Sequence, residues 1–78
     1  MIPWRSLPLV NMVYEALVDR SRGGDVPVRV EEIIDWIYKR FNYRLSEADL
    51  SKSLLTLEAL GKVEVLRTGR DVIVKLVR

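Results

Sequence analysis

The stretch Ser46-Glu-Ala-Asp-Leu-Ser-Lys-Ser-Leu-Leu-Thr-Leu-Glu-Ala-Leu60, followed by Gly61, decides how the chain is read. Leu50, Leu54 and Leu57 recur at i, i+4 and i+7, so they form one apolar stripe on an α-helix. Ser46 stands before that stripe with Asp49 three residues on, a capping-box arrangement with the shorter acid. Gly61 supplies a left-handed stop after the last leucine. Two β-branched runs follow, Val63–Arg67 and Asp71–Val77, joined through Thr68-Gly69. The spacing predicts a helix over 46–60 that leads directly into a hairpin over 62–77.

Upstream, two more helices are predicted. The first covers 7–22, with Ser6 as N-cap, Pro8 in its first turn and Gly23-Gly24-Asp25 at its end. Val10, Val13, Tyr14 and Leu17 make its apolar face. Leu9, Met12 and Ala16 fall on nearly the opposite side, where a surface helix is ordinarily polar. Two readings follow: Trp4 or the last strand covers that side, or it pairs two copies of the chain. Pro27-Val28-Arg29 suits a short edge strand or a tight connection.

The second helix is predicted over 30–41, with Val30, Ile33, Ile34, Ile37 and Phe41 as its buried stripe. Glu31, Glu32 and Asp35 precede Lys39 and Arg40, in agreement with the helix macrodipole. Trp36 lies off the stripe, as a groove-packing residue or an interface anchor. Asn42 tolerates a left-handed turn, and Leu45 is placed as the hydrophobic staple before the third helix. In the last strand both faces carry apolar residues, which predicts a strand that is central or covered.

The 78 residues make one domain, 1–78, of globular composition. There is no cysteine and no histidine, which removes disulfides, the usual transition-metal sites and the commonest general base. Neither a nucleophile–base pair nor a phosphate-cradling glycine loop is visible, so the reading is a non-enzyme without cofactor or metal. No apolar run reaches the roughly 20 residues of a membrane span, and the N-terminus lacks the layout of a secretion signal, so a cytoplasmic protein is expected. Abundant Arg and Glu, no Gln and only two Asn lean toward a thermophilic source. The net charge of +2 is unevenly spread. Residues 1–58 carry eight Lys/Arg and nine Asp/Glu, a net of −1, while residues 59–78 carry five and two, a net of +3. A positive hairpin suits a polyanion partner, and it also suits an edge kept soluble by charge.

The order helix, short strand, helix, turn, helix, hairpin resembles the winged helix-turn-helix superfamily. Leu54, Leu57, Glu58, Gly61 and Val63 stand where many members carry leucine, leucine, glutamate, glycine and valine or isoleucine between third helix and wing. The resemblance covers nearly the whole chain and implies an α+β fold with three helices, a short strand and a two-stranded C-terminal wing. Compact stand-alone members are common in archaea, and the chain looks like one of these.

The resemblance also implies function. In DNA-binding members the third helix enters the major groove and the wing touches backbone or minor groove. Carried over by position, the nucleic-acid-binding set is Arg44, Ser51, Lys52, Thr56, Arg67 and Arg70. The expected function is a double-stranded-DNA-binding transcriptional regulator or chromatin-associated factor. The alternative is a protein–protein interaction module, an adaptor subunit of a larger assembly, using Leu9, Met12, Ala16, Ala48, Leu55 and Ala59. Three features of the third helix favour the alternative. Lys52 is its only outward cation, Glu47 and Asp49 stand in its first turn, and Leu55 faces outward. A homodimer through helix one is compatible with either reading, since paired winged helices read half-sites about one helical turn apart.

Overall fold

A computed structural model describes residues 7–77. The order is α1 (Pro8–Arg20), β1 (Val28–Arg29), α2 (Val30–Phe41), α3 (Glu47–Ala59), β2 (Val63–Thr68) and β3 (Asp71–Leu76). The strands form one antiparallel sheet in the order β1-β3-β2. This is a three-helix α+β layout of winged-helix type, with β2 and β3 as the hairpin wing. As its two-faced apolar pattern requires, β3 is the central strand.

The third helix begins and ends as its sequence dictates. Ser46 has extended dihedrals, and its hydroxyl accepts the Asp49 N–H at 3.1 Å. Only this serine half of the capping box forms. At the other end Gly61 takes φ +72°, its N–H donates to the Glu58 carbonyl (3.0 Å) and the Lys62 N–H to the Leu57 carbonyl (2.9 Å). These two bonds make a Schellman stop, which delivers the chain at once into β2. Leu45 and Leu50, the staple positions on either side of the cap, are both buried. Leu50, Leu54 and Leu57 lie in the core, as their spacing requires.

α2 ends at Asn42, which adopts φ 53° and donates its N–H to the Tyr38 carbonyl at 2.8 Å. At its start Glu32 reaches back to the Arg29 N–H (2.9 Å), and arginine has no acceptor to complete the reciprocal half. Ile33 and Ile37 are fully buried, with Val30 and Ile34 packed beside them. Phe41 departs from the predicted stripe. It is 43% exposed, because the last turn of α2 runs past the core, and it stands edge-on to Trp36 at 6.0 Å. Trp36 fills a groove between helices, and its Nε1–H donates to Asp19 Oδ2 of α1 at 2.8 Å.

α1 corrects two expectations. Its cap is Leu7 and Pro8 opens the helix, whereas Ser6, the expected cap, lies outside the described residues, as does Trp4. The helix also closes at Arg20, two residues early, because Ser21 is buried and ties down the turn. The Ser21 hydroxyl accepts the Gly24 N–H at 3.0 Å, and its carbonyl accepts the Val26 N–H at 2.9 Å. The second correction concerns Ala16 on the far side of the helix, where the reading that the last strand helps to cover this side holds. Ala16 is fully buried, and Leu9 and Met12 are half-buried against the core. α1 packs on α2, α3 and β3 together, so it is the central helix rather than a surface helix. Ala16 therefore offers no interaction surface, and a dimer through helix one retains only parts of Leu9 and Met12.

The core gathers one face of every element. Val28, Val63 and Val74 sit on the helix-facing side of the sheet, with Val28 and Val65 each opposite Val74. Arg67 and Val72 are paired on that same side, farther toward the tip. The turn comprises Gly69-Arg70 between the paired Thr68 and Asp71, with Gly69 at φ +58°. A two-residue turn with positive φ at its first position matches the right-handed strand twist. Arg70 thus occupies the turn itself, while Arg67 is a strand residue whose side chain shares the helix-facing side.

Candidate nucleic-acid interface

A groove of about 330 Å³ lies between α3 and the wing. Ser51 and Leu55 of α3 form one wall. Val65, Arg67, Arg70 and Val72 of the wing form the other. The start of α2 closes one end with Glu31 and Ile34. Of the six residues predicted to meet nucleic acid, the fold brings three into this groove: Ser51, Arg67 and Arg70.

The other three stand elsewhere. Arg44 lies beside the groove, its guanidinium over the Tyr38 ring at 5.6 Å, in a depression that shares Glu31 and Ile34 with the groove. Lys52 and Thr56 lie on the opposite flank of α3, facing the first turn of α1 near Leu7 and Pro8. The Thr56 hydroxyl donates to the Lys52 carbonyl at 3.0 Å, so its donor is committed inside the helix. A 100° step per residue separates Ser51 from Lys52 by about a quarter turn, which is why neighbours in sequence serve different flanks.

The groove is electrostatically mixed. Glu47 and Glu58 of α3 line it together with Glu31 of α2. Among the described residues none of these carboxylates, and neither Arg67 nor Arg70, is in an ion pair. Its floor is apolar, from Leu50 and Leu54. Leu55 stands 60% exposed at its edge, and Ala48 and Ala59 are exposed on the same helix, as the outward face of α3 predicts.

Sequence reading placed Glu47 in the first turn of the third helix but did not join Glu58 and Glu31 to it in this site. Glu47, Ser51, Leu55 and Glu58 follow i, i+4, i+8, i+11 spacing, a visible stripe on α3. The contribution of Glu31 and Ile34 carried no such signal, because it comes from how α2 is packed.

Charges on the other side of the molecule are used internally. Arg20 pairs with Glu32 at 3.0 Å and Lys39 with Asp35 at 3.1 Å, while Arg40 stands over the Trp36 ring at 5.3 Å. The Arg29 N–H and then the Arg20 guanidinium hold the Glu32 carboxyl below the usual carboxylate range. Among the described residues no group of three or more His, Cys, Asp or Glu is placed to hold a metal ion, and no helix is long and apolar enough to cross a membrane. Comparison with protein-family models, with curated proteins and with solved structures gave no match to this chain.

Proposed function

We propose that this chain is a winged-helix module that binds duplex DNA, led by its wing rather than by its third helix. One observation carries the reading. Arg67 and Arg70 stand together at the wing end of the groove, exposed and without an ion-pair partner among the described residues. Guanidinium groups in that state are ready to take phosphate oxygens, the contact that dominates affinity and positions a protein on DNA.

The carboxylates shape the mode of binding. Glu31, Glu47 and Glu58 repel phosphate from the groove floor, and α3 offers no Arg, Asn or Gln for bidentate base contacts. Binding is therefore directed at backbone and duplex shape, with little sequence preference. Arg44 and Lys52 add cations on either side.

Fluorescence anisotropy with mixed-sequence duplex tests this. If all four cations meet phosphate, log K falls against log salt with a slope of about −3.6. Arg67→Ala with Arg70→Ala should flatten that slope by about 1.8, at unchanged melting temperature. No binding at low salt overturns the proposal, and a slope unaffected by the double variant removes the wing from it. The exposure of Leu55 favours a second reading, a protein-interaction module using the same face.

A further inference from the structure

Leu55 is 60% exposed, more than any other large apolar side chain described, and it lines the groove between α3 and the wing. Duplex DNA leaves this feature unused, and the carboxylates around it disfavour DNA there.

The strand that walls the groove also has an edge that no other strand pairs with among the described residues. β2 is an outer strand of the sheet. The Val77 N–H donates to the Lys62 carbonyl at 2.9 Å, which makes that a hydrogen-bonded pair. Antiparallel ladders alternate, so Glu64, Leu66 and Thr68 turn their backbone groups toward β3 as well. The N–H and C=O groups of Val63, Val65 and Arg67 therefore point outward along the edge. Val65 and Arg67 are also the β2 side chains that line the groove. A strand laid along this edge would direct alternate side chains into the groove, beside Leu55 and under the three unpaired glutamates.

We propose that the groove and the β2 edge take an extended segment of a protein partner, apolar at alternate positions and carrying lysine or arginine, added as a fourth strand. The backbone bonds supply pairing and the apolar floor takes the alternate side chains, while Glu31, Glu47 and Glu58 select cations on the helix side of the groove, across from Arg67 and Arg70. The inference rests on the protein-interaction reading, and its site shares Arg67 and Arg70 with the wing-led DNA contact.

The test uses the whole chain, labelled for amide NMR, and three short peptides alternating valine–lysine, valine–glutamate and serine–lysine. The valine–lysine peptide should bind at least about tenfold more tightly than the other two, with shifts at Val63, Val65 and Arg67. Leu55→Ser should weaken it about tenfold without lowering the melting temperature. Glu47→Lys with Glu58→Lys should reverse the preference toward valine–glutamate, a gain that misfolding cannot imitate. Equal binding of serine–lysine, or shifts confined to other elements, would overturn the proposal. So would self-association that buries the same edge, since the occupant would then be a second copy. Duplex binding measured on Leu55→Ser, which adds no charge, should stay at the wild-type value, so loss of one activity is read separately from loss of the other.

Discussion

The seam between α1 and α2 and the groove between α3 and the wing are built from the same residue types, yet they end in opposite states. In the seam every strongly polar group named has found a partner. Arg20 holds Glu32, the Trp36 indole holds Asp19, and Arg40 covers the Trp36 ring. In the groove Arg67 and Arg70 face Glu31, Glu47 and Glu58 without pairing. The difference is one of geometry. Two helices packed side by side bring long side chains within reach of each other, whereas the groove between α3 and the hairpin holds theirs apart. Charges and an exposed leucine that the fold leaves unused on one face are what a binding surface consists of.

The comparison breaks most visibly within α3 itself. Leu57→Ala removes a fully buried side chain and should cost about 3 kcal/mol by denaturant unfolding. Leu55→Ala, two residues away, should stay within about 0.5 kcal/mol. Similar losses at both positions would make Leu55 part of the core and erase the groove as a surface. At the seam, Trp36→Phe keeps a ring and deletes the bond to Asp19, so about 1 kcal/mol should be lost. No loss would mean that the seam's polar contacts are as idle as those of the groove.

The smallest effect is at Glu32. Its folded carboxyl is held below the usual range, so its contribution is present above the ordinary carboxylate pKa and is lost as pH falls through the folded value. Both partners of its ion pair are partly exposed, which limits the effect of Glu32→Gln at neutral pH to a few tenths of a kcal/mol. Thermal melts from neutral to acid pH should show the two proteins converging at the acid end. A constant gap would place the effect of the substitution outside this titration.

The third helix was legible almost to the residue, because its signals are local. A serine cap, a leucine stripe and a glycine stop each act within a few positions, and the two Schellman bonds confirm the stop. α2 was legible in the same way, except that its stripe, extended to Phe41, overshot the core by a turn. α1 was harder. Periodicity shows that Leu9, Met12 and Ala16 share a side, and it says nothing of what packs there. That Ala16 is buried depends on α1 being held among α2, α3 and β3 at once.

The candidate site divides along the same line. Exposure of Leu55, Ala48 and Ala59, and the scarcity of cations on α3, followed from helical geometry applied to residue order. That Ser51 joins Arg67 and Arg70 while Lys52 and Thr56 turn toward α1 did not, since it depends on which flank of α3 the wing approaches. Nor did the arrival of Glu31 from α2, which makes the groove acidic at one end.

By itself the sequence determined the elements, their caps and turns, the apolar face of α3 and the positive charge of the hairpin. Each of these is set by neighbours within about two helical turns or across one tight turn. Tertiary structure alone decided that both sides of α1 are covered, and that wing arginines and helix glutamates share one groove unpaired. Those outcomes follow from the angles at which elements pack, and packing angles are set by long-range contacts that a local pattern does not encode.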